Sequence, residues 1–210
     1  MRIRAAIGTA ACLVAVFAAT AAAADAPTLT SSAGTVRFGS GVTLQGLAPG
    51  QAGQTVQVFA TGCGFIGSVP VGTATIGADG TYSLGLEPAL GMTLVAAVGD
   101  AQSAPLAIRV QPLVQLRRVG PKLFGVDVSV GAGQFFTSKA TLQRYDTKHK
   151  RWQPVAAGAL QQKSSFGDVV AISSATIRAA VKPGTRLRAF VGQAALGTCY
   201  APASSTALTA

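Results

Sequence analysis

The chain repeats itself, and the repeat limits what it can fold into more than any single motif does. Gly41-Val42-Thr43-Leu44 lines up with Gly125-Val126-Asp127-Val128 at an offset of 84 residues. The same offset pairs Val56 and Val58 with Ala140 and Leu142, and Pro70-Val71 with Pro154-Val155. Further on, Gly91 to Gly99 matches Gly184 to Gly192 at an offset of 93. The change of offset puts about nine extra residues in the second copy, around Gln161 to Gly167. Four matches in order at nearly constant spacing point to a duplication.

Each copy reads as short alternating strands. Val42-Thr43-Leu44 and Val56-Gln57-Val58 place their aliphatics on one face by the period of two. Ala78-Asp79-Gly80 is a tight-turn signal between two such runs. Strands are expected near 36–38, 42–47, 55–60, 69–76, 81–86, 93–98 and 106–110. In the second copy they fall near 114–119, 124–130, 140–145, 152–160, 169–177, 186–191 and 203–208. Seven short strands in roughly 90 residues is the count of an immunoglobulin-like sandwich. The expected fold class is therefore all-β, with two tandem immunoglobulin-like β-sandwich domains. Gln111-Pro112 divides them into residues 25–111 and 112–210, joined by a short, stiff linker.

Residues 1–24 have the layout of an export signal. Arg2 and Arg4 precede an apolar run from Ile7 to Ala19, and Ala22-Ala23-Ala24 supplies small residues for cleavage before Asp25. The run is shorter than the roughly 20 apolar residues of a membrane span. Thr9-Ala10-Ala11-Cys12 faintly resembles a lipoprotein box, but Cys12 precedes most of the apolar stretch that a lipidated cysteine follows. The expectation is a secreted, extracellular protein, with retention at the cell envelope left open and no transmembrane segment in the mature chain.

Both halves resemble the tandem immunoglobulin-like domains of secreted and surface proteins of high-GC bacteria, notably actinobacteria. The residues that carry the resemblance are Phe38 to Gly46, Gly53 to Val56, Ala78 to Ser83, Ala140 to Arg144, and Arg151-Trp152. Such domains serve mostly as spacers, adhesive modules or appendages to enzymes. The resemblance implies architecture more than activity.

After cleavage two cysteines remain, Cys63 and Cys199, one in each half. Exported cysteines commonly pair. Cys63 follows the third strand of the first sandwich, and Cys199 lies between the last two strands of the second. Strand direction turns both loops toward the junction, so an interdomain disulfide is expected. Free or intermolecular thiols are the alternative.

Charge is unevenly shared. Residues 25–111 hold two basic and four acidic residues; residues 112–210 hold thirteen basic and three acidic, a net of +10. Lys148-His149-Lys150-Arg151 at an expected hairpin tip is the densest cluster, led into by Lys139 and Arg144 and followed by Trp152. These residues are the candidate binding site for an anionic wall polymer or carbohydrate. The plainer reading is a solvated hairpin whose charges prevent edge-to-edge aggregation. Trp152 is expected as a core plug, with a sugar-stacking platform as the alternative. Phe135-Phe136 are expected to cap an end of the sandwich, or to mark an interaction patch if exposed.

Catalysis has little material. His149 is the only histidine and is expected in an exposed turn with nothing to orient it. The seven acids show no spacing that recommends a pair, and no Gly-rich phosphate loop or metal-ligand spacing appears. No cofactor is expected. Nucleic acid is disfavoured as a partner because no row of stacking aromatics interleaves with the basic residues. The expectation is a non-catalytic spacer or binding module at the cell envelope, meeting an anionic polymer or another surface protein. The cysteine pairing gives a direct expectation: titration of the oxidised native protein with a thiol reagent finds no free thiol, whereas two reactive thiols refute it.

Overall fold

The computed structural model describes residues 26–63, 66–131, 136, 138–166 and 170–210. The export signal expected over 1–24, its cleavage site before Asp25, and Phe135 lie outside these residues. The first half forms β1 (Thr30–Ser31), β2 (Thr35–Arg37), β3 (Val42–Leu47), β4 (Thr55–Gly62), β5 (Val69–Thr75), β6 (Thr81–Leu86), β7 (Met92–Val98), β8 (Ala101–Gln102) and β9 (Leu106–Gln111). The second forms β10 (Leu113–Gly120), β11 (Leu123–Gly131), β12 (Lys139–Asp146), β13 (Arg151–Ala159), β14 (Gln161–Phe166), β15 (Val170–Arg178), β16 (Arg186–Val191), the single helical turn α1 (Gln193–Leu196), β17 (Ala203–Ser204) and β18 (Leu208–Thr209).

These strands build immunoglobulin-like sandwiches. In the first half β1-β3-β6 make one sheet and β2-β9-β7-β4-β5 the other. In the second, β10-β11-β15-β14 lies against β13-β12-β16, and β17 and β18 both pair with β16. Strand β5 hydrogen-bonds to β4 in the first half and β13 to β12 in the second, and each widens its sheet.

Alternation explains the burial. Leu94, Ala96 and Val98 on β7 are buried, as are Leu187, Ala189 and Val191 on β16, 93 residues on. Val56 and Val58 match the equally buried Ala140 and Leu142, 84 residues on. Pro70 and Pro154 occupy edge strands, each beside a register shift that inserts Val71 or Val155 into its own strand. Proline has no amide to offer a second sheet, so it and the bulge disfavour strand addition there.

The structure adds elements that the strand pattern alone does not indicate. Gln161–Phe166 form β14, a fourth strand on a sheet whose counterpart in the first half has three. The expected strand at 203–208 is split into β17 and β18 at Ser205, whose amide donates to Ala189 O at 2.9 Å while its Oγ, not a carbonyl, accepts from the Ala189 amide at 3.0 Å. Ser103, between β8 and β9, does the same to the Ala96 amide at 3.0 Å. A hydroxyl here replaces the carbonyl that the ladder lacks.

Pro112 alone separates β9 from β10, and it is buried. The segment Cys199 to Pro202 lies against the first half. The Gly91 amide donates to Cys199 O at 2.9 Å, the Ala201 amide to Val110 O at 2.8 Å, and Gln111 Nε2 to Pro202 O at 2.8 Å. Between these bonds Tyr200 is buried, donating to Gly131 O at 3.0 Å and meeting Phe136 edge-on at 5.8 Å. Burial, partly offset by this hydrogen bond, pushes its phenol up to about 12. Phe136 thus caps the sandwich end from inside. Gly131 lies so close to Phe38 and Ala89 that a Cβ would stand 3.0 Å and 2.8 Å from them.

Gly131→Ala is expected to destabilise the fold by about 1–3 kcal/mol through overpacking. Gly85→Ala, with open space around it, serves as the control, and urea unfolding of both variants checks the difference.

Candidate functional site

The hairpin β12–β13 carries most of the residues that the sequence marks out. Its tip is tied by Asp146. Oδ1 accepts from the amides of Lys148 at 3.0 Å and His149 at 3.2 Å; Oδ2 meets His149 Nδ1 at 2.7 Å and accepts from Gln153 Nε2 at 2.9 Å. The hydrogen bonds from His149, side chain first and then amide, hold the Asp146 carboxyl below its ordinary range. His149 therefore does have an orienting carboxylate, contrary to expectation, although it stays exposed. Lys150 sits in the left-handed region at φ 49°, which closes the turn and leaves Lys148, Lys150 and Arg151 exposed.

Trp152 is not a core plug. It is half-buried on the outer face of the sheet, paired across strands with Tyr145, their ring centroids 5.2 Å apart. The reason is parity: Tyr145, three residues after inward Leu142, faces outward, and the extra residue Val155 in β13 turns Trp152 to the same side. Arg188 Cζ stands 4.5 Å over the Trp152 ring, and Arg186 Cζ stands 5.3 Å over that of Tyr145. The strand pattern does not single out these two arginines. The available signal is the alternation Arg186-Leu187-Arg188-Ala189, which already assigns the arginines to the outer face.

Arg144 sits beside the tip and lines an open cleft of about 690 Å³ between the hairpin and residues 180–186. Lys182, Arg186, Tyr145, Asp146 and Val181 also line it. Lys139 does not join this cluster. It opens β12, whose eight residues place it about 25 Å from the tip, at the junction end. The structure thus brings together Arg144, Lys148, Lys150, Arg151 and Trp152, adds Lys182, Arg186 and Arg188, and leaves Lys139 apart.

Cys63 and Cys199 meet at the junction with Cα atoms 5.3 Å apart, within disulfide reach, across 136 residues of sequence. Both therefore lie at the opposite end of the second half from His149.

The opposite sheet holds a charge network the sequence reading passed over. Asp127 on β11 is buried, although it sits on the outward side of its sheet. Arg117 and Ser174 donate to it, and Lys163 Nζ from β14 reaches both oxygens at 3.3 Å. Arg117 crosses over Gly125, where a Cβ would stand 3.3 Å from the guanidinium. Burial pushes the Asp127 carboxyl up, but the hydrogen bonds from Ser174, Arg117 and Lys163 and the charge of Arg117 outweigh it, leaving the carboxyl below its ordinary range. A lone Asp within Val126-Asp127-Val128 was the legible trace of this network. Among the described residues no cluster of three His, Cys, Asp or Glu side chains is placed to hold a metal ion.

The topology defines the class: an all-β protein of immunoglobulin-like sandwiches with a basic outer sheet face. No family model and no curated protein matches the chain. Among solved structures it is similar to a marsupial T cell receptor at 13% identity, over 87% of this chain and 100% of that one, with a TM-score of 0.33. A second marsupial T cell receptor chain is 12% identical over 88% of this chain and 99% of its own, with a TM-score of 0.32.

The depressed Asp127 carboxyl contributes stability above the ordinary carboxylate pKa, and that contribution is lost as pH falls through its folded value. Asp127→Asn is expected to cost about 1–3 kcal/mol at pH 7. The gap from the unaltered protein should close as the pH drops below about 4, a window set by the ordinary carboxylate pKa. Urea midpoints at pH 7, 4 and 2.5 measure it, and an unchanged gap across that range refutes the role.

Proposed function

We propose that this protein is a non-catalytic binding module of a bacterial cell envelope. Two sandwich domains, residues 25–111 and 112–210, hold a basic face away from their junction and engage an anionic polymer. One observation carries the reading: Arg186 and Arg188 are stacked on Tyr145 and Trp152 beside an exposed basic tip, and neither has a carboxylate partner among the described residues. A net of +10 in that half supplies long-range attraction to polyanions. Among the described residues no helix is long and apolar enough to cross a membrane. The buried Pro112, the three junction hydrogen bonds and the cysteine pair support a second role, a stiff spacer that fixes the angle of the binding face. Hydrolysis finds little support, since the cysteines that could act as nucleophiles stand far from the His149–Asp146 pair.

Pull-down of the purified protein with isolated cell-wall material at low and high salt tests the reading. Retention at low salt that falls at high salt is expected, and Lys148→Ala, Lys150→Ala and Arg151→Ala together should weaken it several-fold. No retention at low salt overturns the reading and leaves the charge as a solubility device.

A further inference from the structure

Strand β16 points Leu187, Ala189 and Val191 into the core and Arg186, Arg188 and Phe190 outward. Outward arginines on a sheet ordinarily trail freely in water. These two are held. Arg186 lies over Tyr145; Arg188 lies over Trp152, stands 5.9 Å from the Phe190 ring centroid, and donates from Nε to Gln143 Oε1 at 2.8 Å. The ring contacts restrict where each guanidinium sits, and the Gln143 bond further restricts the Arg188 one. Arg188 is also half-buried, and that burial pulls its guanidinium down from its ordinary value. Its outward neighbours Gln143, Tyr145, Trp152 and Phe190 carry no negative charge. The two cations stand two residues apart on one strand, about 7 Å by strand rise, so an anion from outside that meets both relieves their mutual repulsion.

The geometry also selects among anions. A planar guanidinium offers two parallel donors to paired oxygens, as a phosphate presents them. A sugar polymer gains from an open aromatic face for its rings, and here Arg186 and Arg188 stand over Tyr145 and Trp152. The same cover denies stacking to nucleic-acid bases. A flexible chain of phosphodiesters joined by small polyols needs no ring face and presents two free oxygens at each phosphate.

We propose that Arg186 and Arg188 are a preorganised pair of phosphate readers for a polyol-phosphate chain. This rests on the anionic-polymer reading and names its ligand and the residues that select it. Lys148, Lys150 and Arg151 then attract the polymer, and the stacked pair discriminates.

Trp152 is the only tryptophan in the chain, so its emission reports this site directly. The purified full chain is titrated with oligo(glycerol phosphate), polygalacturonate and oligothymidylate at matched charge. Oligo(glycerol phosphate) is expected to change Trp152 emission saturably and to bind several-fold more tightly than the other two. Arg186→Lys with Arg188→Lys keeps the net charge and is expected to lower that affinity about tenfold, because ammonium groups lack the planar fork. Gln143→Ala, which keeps both arginines, should lower it about twofold to fivefold by releasing the Arg188 rotation. Thermal midpoints monitor the fold of each variant. Wild-type affinity in the double lysine variant or in Gln143→Ala overturns the preorganised pair while the anionic-polymer reading stands. Equal or tighter binding of polygalacturonate or oligothymidylate overturns the polyol-phosphate assignment. Failure of the unaltered protein to bind any of the three overturns both readings.

Discussion

Docking of Cys199 to Pro202 against the end of the first sandwich is the contact on which the rest of the arrangement depends. A connection of one buried proline would by itself allow the halves to rock about β9 and β10. Backbone bonds from Gly91 and to Val110 turn the loop into a short extra strip of the first half. Tyr200 then fills the space between, with its hydroxyl satisfied by Gly131 O. Cys63 and Cys199, 136 residues apart in sequence, stand within disulfide reach at the same contact, where a bond would be worth on the order of 4 kcal/mol in the chain-entropy account. Since Cys199 and the hairpin tip lie at opposite ends of one sandwich, fixing one end aims the other.

The two outer faces of the second half handle charge in opposite ways. On β10-β11-β15-β14 a buried carboxylate gathers Arg117, Lys163 and Ser174, and its cations are spent internally. On β13-β12-β16 the cations rest on aromatic rings and an amide oxygen. Stacking on a ring steadies a guanidinium without neutralising it. The cations around Asp127 are therefore partly neutralised within the fold and those of Arg186 and Arg188 are not, although both faces carry similar residues in sequence.

Strand periodicity is a local property, and so the strands were largely legible. Val42-Thr43-Leu44 and Thr93 to Val98 declare their inward residues without reference to anything distant. The repeat located Pro70 and Pro154 at equivalent positions, and loop direction brought Cys63 and Cys199 to one junction. β14 was less legible: Gln161 to Ser165 has no apolar alternation, and it becomes a strand only because β15 presents an open edge. The split of the last strand into β17 and β18 depends likewise on Ser205 meeting an amide of β16.

The site was half legible for the same reason. The sequence by itself determined the all-β character, the inward aliphatics, the excess of charge in one half and the basic hairpin tip, because each depends on residues close together in the chain. Only the tertiary structure decided that Trp152 lies outside the core, that Asp146 orients His149, that Lys139 stands at the wrong end, and that Arg186 and Arg188 rest on Tyr145 and Trp152. Those are relations between strands, set by register and by the shift after Leu142. A one-residue slip would send every one of these side chains to the other face.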